Sequence, residues 1–301
     1  MLLSVIIVTW NGLCHLPRCL AALLPQLPAN AEVIQVDNAS RDGTVAWVRA
    51  NHPMLRLIEL SHNTGFAGGV AKGLRAARGQ LVLLLNDDAF VEPGFVVALL
   101  DVMAAHQEIS AASAVLTFDH RPDIVASAGI RLRRDGLALD AWAGRLVTEL
   151  PHAPVEVFGP SGGAAMYRRS ALDDVGGVEP SFFAYLEDVD LAFRLRGRGH
   201  RSLLVPQARA RHIYSASAGQ GSPLKQRLLG RNRLRTLVRC LPRVLLPQLL
   251  PHIAAYELMA CAYALLTRQP HMLAGRLAAL HELPLLLAQR QVIQARTTAT
   301  A

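Results

Sequence analysis

Four short apolar segments alternate with helical patterns in the first third of the chain, and this alternation constrains the fold more than any other feature. The segments lie at 2–8, 32–36, 55–60 and 81–85 and are rich in Val, Ile and Leu, which predicts strands. Segments that are apolar on both faces are typical of a parallel sheet covered by helices. We therefore predict an α/β fold with a Rossmann-like, mostly parallel sheet and helices on both faces.

The second half of the chain is less regular. Residues 119–160 hold many Gly, Pro and Arg and are predicted as irregular hairpins, whereas a helix is predicted to begin near Leu186 and a short strand at 203–205. From Leu241 the chain is rich in Leu and interrupted by Pro, which predicts a helical C-terminal tail. We divide the chain into a main domain at 1–240 and a Leu-rich helical tail at 241–301.

A glycine-rich segment, NTGFAGGVAKG, is predicted as a turn that leads into a helix near Arg75, because Gly permits close backbone approach. Its spacing is not the dinucleotide fingerprint G-x-G-x-x-G, which should follow the first strand. There the chain reads VIIVTWNG instead. This sequence disfavours a nucleotide-binding oxidoreductase.

Positive charge is concentrated in one part of the chain, whose formal net charge is +8. Between Asp190 and Glu257 no acidic residue occurs, and the stretch from Arg194 to Arg243 carries Lys225 and twelve arginines. Such a stretch attracts phosphates, nucleic acid or anionic lipid headgroups. We expect no nucleic-acid partner, because the sequence has no RNA-binding signature and no interleaved aromatic residues.

The tail and the cysteines bear on location. The most apolar window, 249–267, contains Pro251, His252 and Glu257, so it is marginal for crossing a membrane. Helices that lie in the interface of an anionic membrane are favoured over core packing or a dimer interface. Four cysteines without a CxxC pair, and an opening without signal-peptide features, favour a reducing setting. We expect a cytoplasmic protein, peripheral on the inner face of the bacterial cytoplasmic membrane.

Polar residues follow several predicted strands where ligands bind in parallel sheets. Thr9, Asp37 and Asp88 each lie just past a strand end, and Asp37 has the chemistry to accept the imide N–H of uracil or thymine. Asp88 and its neighbour Asp87 follow the apolar run LLL, which indicates a site for Mg²⁺ or Mn²⁺ with His212 as a further candidate ligand. The alternative for the segment that begins at Asp37 is a turn with a helix cap from Asn38, Ser40 or Asp42. The alternative for Asp87 and Asp88 is a strand that simply ends in water.

A second acidic group lies in FFAYLEDVDLAFRLRGRG, where Glu187, Asp188 and Asp190 begin a predicted helix. Acidic residues stabilise a helix N-terminus, so capping alone accounts for them. The preceding aromatic residues also indicate a lined pocket, in which one carboxylate can act as a general base.

Taken together, these segments resemble family 2 glycosyltransferases of the rhamnosyltransferase-like group, which have the A-type glycosyltransferase fold. The resemblance covers about 2–240 and is carried by segments that occur in this order: SVIIVTWNG, VDNASRDGT, NTGFAGG, LLLNDDAFVEPGF, SGGAAMYRR, FFAYLEDVDLAFRLRGRG and RNRL. It implies inverting transfer of a rhamnose-like sugar from a dTDP- or UDP-linked donor. The acceptor implied is a cell-envelope or lipid-linked glycan.

The resemblance also implies roles for single residues. Asp188 would be the catalytic base with Glu187 beside it, and Asp88 would bind the metal ion, with His212 as the candidate further ligand. The nucleotide would be bound by Thr9, Asn11, Asp37, Asn38 and Asp87.

Two departures from the family pattern stand out. The usual Asn-Pro-Asp is Asn86-Asp87-Asp88 here, which leaves the role of Asp87 open. The glycine segment usually continues with Asn where this chain has Val70 or Ala71, which puts that contact in doubt. A catalytically inactive scaffold of the same fold, bound to nucleotide or to a membrane surface, is the alternative function.

Overall fold

The computed structural model describes residues 3–213 and 221–298, and one mixed sheet forms its centre. The predicted start of the first strand at Leu2 lies outside the described residues. The strands are β1 Leu3–Thr9, β2 Glu32–Asp37, β3 Arg56–Glu59, β4 Leu81–Asn86, β5 Ala89–Val91, β6 Ile109–Phe118, β7 Arg121–Ser127, β8 Ile130–Leu132, β9 Ala138–Asp140, β10 Val155–Val157, β11 Ala164–Arg168 and β12 Arg201–His212.

Helices cover the sheet and continue into the C-terminal tail. They are α1 Leu16–Leu23, α2 Thr44–Asn51, α3 Gly65–Ala76, α4 Phe95–Ala105, α5 Arg169–Val175, α6 Glu187–Gly197, α7 Pro223–Cys240, α8 Leu246–Leu266, α9 Pro270–His281 and α10 Leu283–Ala295.

The sheet order is β10-β12-β6-β11-β4-β1-β2-β3, with β5 paired to β12 and β7 paired to β6. Strands β1 to β4 run parallel, and β11 enters antiparallel between β4 and β6. Apolar clusters lie on the two faces of the sheet, because β1 and β4 send alternate side chains to opposite sides. The predicted α/β class, with helices on both faces and a helical tail, is confirmed.

The register brings the carboxyl ends of three strands together. Thr9 at the end of β1 lies opposite Asp37 at the end of β2, and Val8 lies opposite Asn86 at the end of β4. Because parallel strands end at the same edge, residues from distant parts of the sequence share one surface.

Two elements differ from the sequence prediction. The glycine segment predicted as a turn forms most of α3, because its glycines let the helix pack closely on β1: a side chain at Gly69 would overlap Val8, and one at Gly73 would lie 2.5 Å from Ile6. Strand β12 spans 201–212 rather than 203–205, because a register shift between Leu204 and Arg209 lets it pass an internal proline.

The tail helices pack against α7 through buried ion pairs. Glu257 of α8 lies 2.7 Å from both Arg233 of α7 and Arg276 of α9, and Glu282, just before α10, lies 3.1 Å from Arg235. These arginines are almost fully buried, so part of the basic stretch forms ion pairs inside the protein rather than a basic surface. No other acidic residue follows Asp190 in the sequence.

The outer surface of the tail is apolar. In the part of the chain that the structure describes, one helix, Arg243–Leu266, is long and apolar enough to cross a membrane, and only 11% of its apolar window is buried. Exposed leucines on this helix include Leu258 and Leu266, and the next two helices expose Leu277, Leu280 and Leu285. The tail therefore exposes large apolar side chains on each of its three helices.

Candidate active site

The loops that follow β1 and β2 form the first wall of the site. Asp37 is almost fully buried, and its Oδ2 accepts the N–H of Ser40 at 2.9 Å. Its Oδ1 is buried and has no hydrogen-bond partner among the described residues, so it is an acceptor that a ligand N–H would satisfy. Asn11, at φ 51°, ties the loops together by donating its N–H to Ser40 and accepting from the N–H of Arg41.

Thr9 and Asn38 are buried behind this wall. The Thr9 hydroxyl accepts a hydrogen bond from Gln35 at 2.7 Å, and Asn38 donates to the carbonyl oxygen of Gly65 at 2.9 Å. The Asn38 side chain also accepts from Thr64. Asn38 therefore connects the end of β2 to the first turn of α3, whereas Thr9 connects the ends of β1 and β2 to each other.

Asp87 and Asp88 form the tight turn between β4 and β5. The apolar run of β4 ends here, and His212 joins the pair because β12 places it opposite Ala89. The His212 Nε2 lies 2.9 Å from Asp88 Oδ1 and 3.3 Å from Asn86 Nδ2. The predicted neighbours Asp88 and His212 are thus in direct contact.

Asp87 is only partly buried, whereas Asp88 is almost fully buried. Removal from solvent and, to a smaller extent, the charge of Asp88 raise the pKa of the Asp87 carboxyl to about 7, although a hydrogen bond from Thr9 acts in the opposite direction. A side chain at Gly12 would overlap the Asp87 carboxylate, so this glycine creates the space that Asp87 occupies.

This donor set fits a divalent cation. Asp88 and His212 are both mostly buried, and Asp87, the preceding residue, provides a second carboxylate. No group of three or more His, Cys, Asp or Glu with metal-binding geometry occurs within 3–213 and 221–298. A site with few protein ligands suits Mg²⁺ or Mn²⁺ that is also held by substrate phosphates.

The second acidic group begins α6. Asp188 accepts the backbone N–H of Gly162 and of Val189, each at 2.8 Å. Burial raises the pKa of both Asp188 and Glu187, and the charge of Asp188 raises that of Glu187 further. The charge of Asp140 at the end of β9 also raises the pKa of Asp188, whereas the backbone hydrogen bonds that Asp188 accepts lower it.

Asp190, the third acidic residue of this group, has a structural role. Its carboxylate is fully buried and lies 2.8 Å from Arg194 and 3.4 Å from Arg239. It therefore anchors α6 to α7.

Two adjacent glycines bring the acidic groups together. The N–H of Gly162 binds Asp188, while the carbonyl oxygen of Gly163 accepts the N–H of Asn86 at 3.0 Å. A side chain at Gly162 would contact Asp188, and one at Gly163 would crowd Leu116 and contact Asn86. The segment SGGAAMYRR therefore connects the end of β4 to the start of α6 through one short stretch of backbone. The adjacent glycines are the one signal of this role in the sequence.

This sheet, with acidic residues at the ends of its strands and at the start of α6, is the A-type glycosyltransferase fold. The chain belongs to glycosyl transferase family 2, whose family model matches residues 4–176. It is a glycosyltransferase, and the predicted family is confirmed.

Individual relatives narrow the comparison. The chain is 30% identical over 241 residues, 72% of its length and 78% of the relative's, to the N-acetylglucosaminyl-diphospho-decaprenol L-rhamnosyltransferase of Mycobacterium tuberculosis. It is also 25% identical over 239 residues, 76% of this chain and 82% of the relative, to the uncharacterized glycosyltransferase YwdF of Bacillus subtilis.

Among solved structures, the mannosyltransferase PcManGT of Pyrobaculum calidifontis, in complex with GDP-Man and Mn²⁺, superposes with a TM-score of 0.59 at 20% identity. The alignment covers 94% of this chain and 86% of that one. TarS 1–349 of S. aureus superposes with a TM-score of 0.60 at 16% identity, and the alignment covers 98% of this chain and 90% of that one. At such low sequence identities, these similarities establish the fold alone.

Glu187→Gln should flatten the pH dependence of thermal stability. Burial raises the pKa of Glu187 from its ordinary 4.5 to about 8, so the folded state keeps a proton that the unfolded chain releases. This stabilising contribution is complete below pH 4.5 and is lost as the pH rises through about 8. Melting temperatures measured from pH 5 to 8 should fall more steeply for the wild type than for the variant.

The matched control is Glu149→Gln, which changes an exposed glutamate. It should reproduce the wild-type slope. Equal slopes for the wild type and Glu187→Gln would show that Glu187 is ionised to the same extent in the folded and unfolded states.

Proposed function

We propose that this chain is an inverting glycosyltransferase that moves a sugar, with rhamnose the best candidate, from a nucleotide diphosphate to a glycan or lipid-linked acceptor. The observation that carries the proposal is the pairing of two acidic groups across Gly162 and Gly163. One group has the chemistry of a cation site, and the other holds a carboxylate with a raised pKa. The named activity of the mycobacterial relative supports this choice of sugar and acceptor.

The donor base would lie at the ends of β1 and β2. Asp37 offers a buried acceptor atom, Oδ1, which matches the imide N–H of uracil or thymine. Asn11 and Asn38 shape the loops around it. Thr9 accepts a hydrogen bond from β2, the strand that ends at Asp37, and also hydrogen-bonds Asp87. We therefore propose a uridine or thymidine diphosphate sugar as the donor.

Asp88 and His212 would hold Mn²⁺ or Mg²⁺, with Asp87 beside them and the donor phosphates as the remaining ligands. Such an ion, when bound, stabilises the negative charge that develops on the departing diphosphate. The imidazole favours Mn²⁺, because Mg²⁺ prefers an all-oxygen shell.

Asp88→Asn should abolish the effect of Mn²⁺ on nucleotide binding while the fold persists. The change keeps the shape of the side chain and removes its charge, so the metal-dependent part of the affinity for UDP or dTDP should fall by about 10–100-fold or more. Isothermal titration with Mn²⁺ and with EDTA measures this difference.

Asp123→Asn, which changes an exposed aspartate, is the control and should bind like the wild type. If wild-type protein binds UDP and dTDP equally well in EDTA and in Mn²⁺, the cation site is wrong. A preference for purine nucleotides would instead contradict the role of Asp37.

Asp188 would act as the general base. The acceptor hydroxyl oxygen forms a bond to the anomeric carbon of the sugar, and its proton passes to a carboxylate oxygen of Asp188. The bond from that carbon to the diphosphate breaks, and its electron pair leaves with the diphosphate. A raised pKa makes Asp188 a stronger base than an exposed aspartate, and the Gly162 N–H fixes its orientation.

Asp188→Asn should lower kcat by about 10²–10⁴-fold and leave donor affinity nearly unchanged, because only the proton acceptor is removed. The wild-type rate should fall as the pH drops below about 6, where Asp188 becomes protonated. Groups that interact with it and shape this profile are Glu187 on α6, Asp140 on β9 and Tyr167 on β11.

Turnover and donor titration, measured on the same preparations, test this role. Glu187→Gln serves as the comparison and should lower kcat by a smaller factor, since Glu187 is assigned an orienting or acceptor-binding role. Near wild-type turnover by Asp188→Asn would make Asp188 a structural cap. A parallel loss of donor affinity would place it at the donor instead.

We further propose that 1–240 is the catalytic unit and that 241–301 docks on the cytoplasmic face of an anionic membrane, where a lipid-linked acceptor would lie. The two glutamates of the tail face inward to buried arginines, so its outer surface carries apolar and basic side chains. Such a surface matches the interface of an anionic bilayer.

Leu258→Glu combined with Leu266→Glu should reduce co-sedimentation with phosphatidylglycerol vesicles, because both side chains lie on the exposed apolar surface. Met54→Glu, which adds the same charge at an exposed position of the main domain, should not. Truncation is unsuitable, since it would leave the buried Arg233 and Arg235 without their carboxylate partners. If the double variant binds vesicles normally but changes oligomeric state, the surface joins two copies of the chain.

A further inference from the structure

The backbone just before α6 is strained. Phe183 has φ 68° and ψ −68°, and the Ala184 N–H donates to the Phe182 carbonyl at 2.9 Å, which closes a γ-turn with positive φ. Tyr185 and Leu186 also have positive φ, at 70° and 65°. Residues other than glycine adopt this conformation only where the surrounding structure imposes it. The segment 182–186, called here the α6 turn, sets the direction in which the next two residues, the acidic pair, leave it.

One buried side chain on α7 binds this turn at several points. Asn232 is fully buried, and its Nδ2 lies 3.0 Å from the carbonyl oxygen of Phe182, 2.9 Å from that of Ala184 and 2.8 Å from that of Tyr185. Its two N–H groups are thus shared among three carbonyls. The neighbouring Arg231 adds a hydrogen bond to Phe182 and orients the amide by donating to Asn232 Oδ1.

Helix α3 holds the opposite side of the turn. The Ala67 N–H donates to the carbonyl oxygen of Phe183 at 2.9 Å. Gly65, at φ 74°, packs directly on Phe183, and a side chain there would overlap the Phe183 carbonyl. Gly65 also accepts the hydrogen bond from Asn38. The α6 turn is therefore held between α7 and the first turn of α3, which Asn38 ties to the nucleotide edge, the name used here for the carboxyl ends of β1 and β2 where the donor is proposed to bind.

We propose that Asn232 is a positioning residue that fixes the acidic pair by holding the α6 turn in its strained conformation. The inference rests on the proposed role of Asp188. Neither a same-sized Leu nor an Asp serves this purpose, because Leu leaves the buried carbonyls without donors and an ionised Asp places a negative charge against them. Asn232 touches no reacting atom, so its effect reaches the reaction only through the geometry of the turn.

Two substitutions release the turn from opposite sides. Asn232→Ala removes the donors on α7, and Gly65→Ala pushes the Phe183 carbonyl away from α3. Leu99→Ala, in the core on the far helix α4, is the control for general loss of stability. Backbone hydrogen exchange of 183–190, kcat, donor dissociation constant and the pH profile of kcat are measured for all three.

Both turn variants should speed exchange in 183–190, lower kcat about tenfold or more and shift the acid limb of the pH profile. Donor affinity should change less than twofold for Asn232→Ala, because that residue lies away from the nucleotide edge. Leu99→Ala should lower the melting temperature and leave the kcat of the folded protein and the exchange of 183–190 unchanged.

Unchanged exchange of 183–190 in Asn232→Ala would overturn the proposal, as would an unchanged pH profile with kcat lost only in proportion to unfolded protein. Exchange does not depend on turnover, so it separates this proposal from the proposed function. If Asp188→Asn retains activity while Asn232→Ala still loosens 183–190, the turn is held as inferred but Asp188 is not the base. Should Asn232→Ala fail to fold, Gly65→Ala supplies the same readouts.

Discussion

Burial of carboxylates at one end of the sheet is the constraint on which the rest of the structure depends. Ionised groups lose favourable hydration when they are buried, so each needs a charge partner or hydrogen-bond donors. His212 partners Asp88, a hydrogen bond from Thr9 supports Asp87, and the backbone of Gly162 supports Asp188. The pKa values of Asp87 and Asp188 are raised because this compensation is incomplete.

Room for these carboxylates comes from glycines and from strained backbone. Gly12 leaves space for Asp87, and Gly162 lets the peptide N–H approach Asp188. The α6 turn, with its residues at positive φ, is kept in place by Asn232. In each case the unfavourable local conformation is stabilised by a contact from a distant element, so the geometry of the site depends on the packing of α3 and α7.

Sequence patterns predicted the strands of the central sheet correctly where strand formation depends on neighbouring residues in the chain. Apolar runs such as 81–85 gave the central strands, and the polar residues after them lay at one edge as expected for parallel strands. The same reasoning failed for the glycine segment at α3, because intrinsic propensity favours a turn there and close packing on Val8 and Ile6 decides for a helix. It also predicted β12 as too short, because the second half of this strand is polar and is recognisable only from its pairing with β5 and β6.

By itself, the sequence determined which strands are buried and which carboxylates follow them, because hydrophobic periodicity and strand ends are local properties of the chain. Only the tertiary structure decided which side chains meet. It placed His212 against Asp88, Gly162 against Asp188 and Asn232 beneath the α6 turn. It also turned arginines that read as a free basic surface, such as Arg233 and Arg235, into buried partners of the tail. These pairings join residues far apart in the chain, and their formation depends on how the sheet and helices pack, which no local pattern encodes.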